Sequence, residues 1–200
     1  MFRKIDIKKF KIKEKNLKNK INSDSINLCF FINENLENKT ILELGAGSGL
    51  ISIFIEKNFD IKSIDAIEIE NETYSTLKEN VILNDCKKIR THHQDIKNII
   101  SIFEEDSFDI IISNPPYYQI GNGKLPENYQ RKIGRHEVLI TMSQLFSIIK
   151  ILLASEGLCF LCYPISRDHE VERNGEKNNL KILKKETLNS TISFYKLAKN

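Results

Sequence analysis

Two hundred residues, 40% hydrophobic and 28% charged, suffice for one buried core, and no apolar run approaches the ~20 residues that would span a membrane. The net charge of +3 is unevenly placed: residues 1–20 hold nine Lys/Arg against Asp6 and Glu14, a balance of +7, while the other 180 residues hold 21 basic and 25 acidic, a balance of −4. This divides the chain into a basic N-terminal arm, residues 1–22, and a single domain, residues 23–200. A basic arm beside a slightly acidic body predicts a polyanionic partner, so residues 1–20 are expected to serve RNA binding rather than the fold.

The N-terminus, Met1-Phe2-Arg3-Lys4-Ile5-Asp6, shows neither the apolar segment nor the cleavage site of a signal peptide, which predicts a cytoplasmic protein. Cys29, Cys86, Cys159 and Cys162 are read as buried, reduced thiols. Cys159 and Cys162 are three apart on an expected strand and so face opposite sides of it. No metal site is expected.

In chain order, Ile5, Ile7, Phe10 and Ile12 alternate with charges in an extended segment. Ser23-Asp24 offers a helix N-cap before Ile26, Leu28, Cys29, Phe30, Phe31 and Ile32. Asn33 to Lys39 is a polar loop. Thr40 to Leu44 reads as a buried strand, followed by three glycines at alternate positions and a helix ending near Asn58. Ile61 to Ile69 is the second strand, Glu72 to Asn84 a helix, and Ile89 to His93 the third strand. Ile96, Ile99, Ile100 and Phe103 predict a short helix. Phe108 to Ser113 is nearly all apolar, as a central parallel strand should be.

The loop from Asn114 to Glu137 carries Pro115, Pro116, Gly121, Gly123 and Pro126, and loops of such length are usually functional. Thr141-x-x-Gln144 is a capping box opening a helix through Leu145, Ile148, Ile149 and Leu152, expected to end at Gly157. Leu158 to Tyr163 is the fifth strand. Leu180 to Leu183 and Ile192 to Tyr195, separated by Asn189-Ser190, predict an antiparallel pair at the sheet edge. Strands alternating with helices make an α/β fold with a seven-stranded, mostly parallel sheet.

The chemistry-bearing residues fall at strand ends, where open α/β sheets bind ligands. In Glu43-x-Gly45-x-Gly47-x-Gly49 the glycines let a ligand lie against bare backbone. A phosphate-binding P-loop would end in Gly-Lys-Ser/Thr, and a dinucleotide fingerprint would put glycine at position 50, where Leu50 stands. Glu68 follows Gly49 by 19 residues and is the candidate for ribose hydroxyls, with Glu70 the neighbouring alternative. Asp95 could accept from an adenine amine or simply cap a helix. Asn114-Pro115-Pro116-Tyr117 follows the fourth strand directly. An Asn oxygen and a rigidly held backbone carbonyl can accept both hydrogens of a planar amine, and Tyr117 offers a face for stacking its ring.

The glycine pattern resembles motif I of the S-adenosylmethionine (SAM)-dependent methyltransferases. Together with Asn114-Pro-Pro-Tyr117 it resembles their class I, Rossmann-like amino-group branch. Ser23-Asp24, the run Asp65 to Glu70, Ser113 to Tyr118 and Arg135-His136-Glu137 look like the bacterial tRNA(Val) adenine-37 N6-methyltransferase family. Ser23, where that family has threonine, Gly134, where it usually has alanine, and a short C-terminal part depart from it.

The resemblance implies SAM as cofactor, tRNA as substrate, no metal, and Glu43 near the methionine amino group. It implies Asn114, Pro115, Pro116 and Tyr117 as the catalytic set. Tyr118, Arg135 and His136 are further candidates for substrate contact. The chain is expected to act as a monomer, away from membranes. A release-factor glutamine methyltransferase, an rRNA or DNA amino-methyltransferase and a SAM-binding module without catalysis are the competing readings.

Overall fold

Thr40–Leu44 (β1) is an interior strand of the sheet: four of its five residues are buried and strands pair on both sides of it. A computed structural model describes residues 10–13, 23–115, 140–188 and 190–200. Around β1 the chain runs through Ser23–Phe31 (α1), Leu50–Asn58 (α2), Ser63–Glu68 (β2), Asn71–Leu83 (α3), Ile89–His93 (β3), a 3-10 helix at Ile96–Ser101 and Phe108–Ser113 (β4). It continues with Met142–Leu152 (α4), Leu153–Pro164 (β5), a 3-10 turn at Ile165–Arg167, Asp168–Lys177 (α5), Leu180–Leu188 (β6) and Ile192–Lys199 (β7). Among the described residues the seven strands form one sheet in the order β3-β2-β1-β4-β5-β7-β6. Neighbouring pairs from β3 to β5 are parallel, and β7 runs against both β5 and β6.

Strand alternation divides the core into two layers. Ile41, Ile110, Ile112, Phe160 and Cys162 pack with α1, α2 and α3 on one face. Leu42, Leu44, Ile111, Cys159, Leu161 and Tyr163 pack with the 3-10 helix, α4 and α5 on the other. All four cysteines are free and buried, with Cys159 and Cys162 on opposite faces as their spacing requires. The Thr141–Gln144 capping box forms, each side chain bonding the other residue's backbone N–H.

Three features differ from the expectations above. The helix opened by Thr141 ends at Leu152 and passes directly into β5, so Gly157 lies inside that strand. There the register against β4 shifts between Phe108 and Ile110, and a Cβ at Gly157 would lie 2.9 Å from the Ala154 carbonyl oxygen. Glycine at 157 therefore answers a close backbone approach, not a helix end. Second, α5 was not expected: its buried face consists of Val171, Asn174 and Gly175, only one of which is a large apolar residue. Third, Phe10–Lys13 belongs to the fold. Phe10 and Ile12 pack against the α1–α2–α3 layer, with the Phe10 ring 6.3 Å from that of Phe54, while Lys11 and Lys13 are exposed.

Residues 1–9 and 14–22 of the basic arm, Asn189, and the loop positions Pro116, Tyr117, Tyr118, Arg135 and His136 lie outside the described residues. Among the described residues no helix is long and apolar enough to cross a membrane.

Candidate active site

The parallel register brings the expected site residues to one edge. Leu44 pairs with Ile67 on one side and Ser113 on the other, and Glu68 pairs with His93. The residues that follow these positions, Gly45 to Gly49, Ile69-Glu70, Gln94-Asp95 and Asn114-Pro115, therefore share the carboxyl end of four adjacent strands. The strand order reverses direction at β1, which makes this edge the switch point where doubly wound sheets bind ligands.

The glycine loop is tied to β2 from the start, since the amides of Gly45 and Ala46 both donate to the Ile67 carbonyl, at 3.0 and 2.8 Å. Gly45, Gly47 and Gly49 have φ of +75°, +59° and +87°, a region costly to side-chain-bearing residues, which explains three glycines in five positions. A Cβ at Gly45 or Gly47 would meet nothing within 4 Å, whereas one at Gly49 would press 2.5 Å from Leu77 Cδ1. The first two glycines thus line open space with bare backbone, and the third closes the loop against α3. This cradle suits a flat, extended ligand such as SAM.

Glu68 forms the rim of that cradle. It is 9% exposed; its Oε2 accepts from the Gly47 amide at 2.9 Å, and its Oε1 accepts from the amides of Ile69 and Glu70 at 2.9 and 2.8 Å. Burial raises its pKa, and the three amides pull it back down in part. Each carboxylate oxygen accepts about two hydrogen bonds, so Oε2 retains a lone pair for a hydroxyl donor beside the loop. Glu70 is otherwise employed: its side chain accepts from the Thr73 amide at 2.7 Å and caps α3.

Glu43 lies below the loop, 2% exposed, with Oε2 accepting from the Ser52 amide at 3.0 Å and from the Ser52 hydroxyl. What Glu43 holds in the structure is the first turn of α2. Burial lifts its pKa from 4.5 to about 7, against the Ser52 bonds that favour the ionised form, with the Glu68 charge adding to the rise. A carboxyl group whose folded pKa is raised binds a proton on folding, so its contribution is destabilising as pH rises from about 4.5 to 7. We expect stability to fall across that window by up to roughly 3 kcal/mol from this group, and Glu43→Gln to flatten the fall. Urea unfolding at a series of pH values reads this directly, and equal slopes in the two proteins would count against it.

Asp95 caps the 3-10 helix, accepting from the Lys97 amide at 2.9 Å with the Lys97 ammonium 3.3 Å away. It stands beside Gln94, whose amide donates to the Glu68 carbonyl at 3.1 Å. Asn114 follows β4, half-buried. Its Nδ2 donates to Ser25 Oγ in α1 at 2.8 Å, and its Oδ1 accepts from the Cys162 thiol at 3.1 Å. The preceding Ser113 is fully buried and donates from Oγ to the Leu44 carbonyl at 2.8 Å. One hydrogen bond thus joins the residue before Asn114 to the residue before the glycine loop. Pro115 is buried.

The structure brings together Glu43, the three glycines, Glu68, Asp95, Asn114 and Pro115. Sequence reasoning missed Ser25 and Cys162 beside Asn114, and Ser52 beneath Glu43. Ser25 sits next to the recognised Ser23-Asp24 pair, but nothing local to it signals a partner 89 positions away.

These features define a class I methyltransferase, and comparison with known proteins agrees. The chain matches the Methyltransferase small domain family over residues 18–133 and belongs to it. A protein of Christiangramia forsetii named tRNA1(Val) (adenine(37)-N6)-methyltransferase is 29% identical over 175 residues, covering 86% of this chain and 72% of that protein. One of the same name from Trichodesmium erythraeum is 26% identical over 172 residues, covering 84% and 70%. Across four such relatives the matched part is 60–72% of their length. The ribosomal protein L11 methylase of Lactobacillus delbrueckii shares the fold, with a TM-score of 0.68 at 18% identity over 90% of this chain and 81% of that one. By its family the chain is a methyltransferase.

Proposed function

We propose that the chain methylates the exocyclic N6 amine of an adenine in tRNA, at position 37 of a valine tRNA as its relatives are named for. The observation that carries this reading is the Ser113–Leu44 bond, which fixes Asn114-Pro115 directly beside the glycine loop. A planar amine presented there can give its hydrogens to Asn114 Oδ1 and the Pro115 carbonyl, leaving the nitrogen lone pair turned toward the cradle. SAM, which Gly45, Gly47 and Glu68 would hold, would supply an electrophilic methyl group for direct displacement by that nitrogen, departing as the thioether while the nitrogen's surplus proton would pass to solvent. The protein's part is orientation and the acceptance of amine hydrogens, which strengthens as positive charge develops on nitrogen. Tyr117, by resemblance, stacks on the flipped base, with Tyr118, Arg135 and His136 as further RNA contacts.

The test is transfer of labelled methyl from SAM to valine tRNA transcripts, followed by nucleoside identification. N6-methyladenosine that disappears when adenine 37 is replaced supports the proposal. Label on a release-factor glutamine, on rRNA or on DNA, with none on tRNA, would overturn the substrate.

The basic arm is proposed to add phosphate contacts. Lys11 and Lys13 face solvent while Phe10 and Ile12 face the core, so the lysines can be changed without touching the packing. Replacing Lys8, Lys9, Lys11 and Lys13 by Gln should weaken tRNA binding and flatten its log–log salt dependence by about 0.7–0.9 per lost contact. Unaltered affinity at low salt would remove the arm from the RNA interface.

A further inference from the structure

Asn80 lies in the interior of α3, fully buried, and its carboxamide bonds across two long sequence separations. Its Oδ1 accepts from the Lys13 amide at 2.8 Å, and its Nδ2 donates to the Lys13 carbonyl at 3.1 Å and to the Ser48 carbonyl at 2.9 Å. Ser48 stands between Gly47 and Gly49, at the tip of the glycine loop. The peptide that carries the Ser48 carbonyl also carries the Gly49 amide, which donates to the Ala46 carbonyl at 2.9 Å. That peptide plane is therefore held at both ends, on one side by the loop itself and on the other by Asn80.

One turn along the helix, Asn84 grips the N-terminal segment in the same way. Its Oδ1 accepts from the Lys11 amide at 2.8 Å and its Nδ2 donates to the Lys11 carbonyl at 2.7 Å. Its remaining bond goes back to the Asn80 carbonyl within α3, not to the glycine loop. The helix alone has no use for asparagine at 80, where the residue type is a weak helix former and a buried amide is costly unless bonded. Its use is to join Lys13 and Ser48.

We propose that Asn80 is a positioning residue for the cofactor loop, tying Ser48 to the N-terminal segment at Lys13 so that the seating of that segment and the binding of SAM strengthen each other. The inference rests on residues 45–49 being the SAM loop. Between flanking glycines the Gly49–Ala46 bond is the loop's own anchor on the Ser48 peptide, and Asn80 adds a second before a ligand arrives. By linkage the effect is reciprocal: a ligand that fixes Ser48 also fixes Lys13.

Calorimetric titration of SAM into the full-length wild type, Asn80→Ala and Asn84→Ala tests this, well below the unfolding temperature of each. Both variants lose two bonds to the N-terminal segment, but Asn84→Ala loses those to Lys11 and leaves the Lys13–Asn80–Ser48 link intact, whereas Asn80→Ala breaks that link. Asn80→Ala should raise the SAM Kd by about tenfold, the scale of one buried hydrogen bond. Asn84→Ala should leave it within about twofold. Equal Kd values in all three proteins, or equal losses in both variants, overturn the role of Asn80 and leave the loop assignment standing; a wild type that binds no SAM removes both. Should Asn80→Ala not fold, hydrogen exchange of the wild type decides. The Lys13 amide should exchange more slowly with saturating SAM, in step with Gly49, and an unchanged Lys13 rate overturns the coupling.

Discussion

Replacing Asn114 by alanine is expected to lower the rate of methyl transfer by on the order of a hundredfold or more while the SAM Kd stays within about twofold. The side chain stands after β4, apart from the backbone that lines the cradle, and its two described partners, Ser25 and Cys162, come from α1 and β5. They fix the plane of the carboxamide, and with it the direction in which Oδ1 can accept from an incoming amine. Truncation removes that acceptor and leaves Gly45, Gly47 and Glu68 where they are. Single-turnover transfer measured beside calorimetric SAM binding separates the two roles. Parallel loss of binding and turnover would show that Asn114 holds the site together and does not address the amine.

The parts of this fold that could be read from the sequence are those whose signal is local. Thr40–Leu44 and Phe108–Ser113 begin and end as expected, because buried strands are nearly continuous apolar runs cut off by glycine or proline, and Ile89–His93 does so too, although it is an edge strand in which only Ile89 is buried. The boundary between α4 and β5 was misplaced because Leu152-Leu153 continues one apolar run with no breaker in it, and Gly157 imitates a helix terminator. The helix α5 was invisible because Asn174 and Gly175 fill most of its buried face, so no apolar period exists to be found.

The site divides in the same way. Its residue types were legible because they cluster at strand ends. The groups that restrain them were not, because Cys162 beside Asn114 and Lys13 on Asn80 are long-range pairings that leave no trace in local spacing, and Ser52 meets Glu43 only once the glycine loop has turned α2 back over β1. The arm expected to serve RNA alone proved to be built into the domain at Phe10–Lys13 for that reason.

The second large effect should follow from Glu68. Alanine there leaves the amides of Gly47, Ile69 and Glu70 without their acceptor, a loss of about 2–4 kcal/mol in stability. If Oε2 also receives a ribose hydroxyl, SAM affinity falls by roughly a further 1.5–3 kcal/mol, and the two losses need separating. Glu68→Gln does so. Its amide oxygen can still accept from Ile69 and Glu70, but its NH2 group faces the Gly47 amide, donor against donor. The variant should therefore unfold at a higher urea concentration than Glu68→Ala while binding SAM about as poorly. Glu70→Ala supplies the contrast, because Glu70 caps α3 through Thr73. It should cost about 0.5–2 kcal/mol of stability with little change in SAM affinity. A Glu68→Gln protein with wild-type SAM affinity would withdraw Glu68 from the cofactor and leave it the task of holding Gly47 to the end of β2.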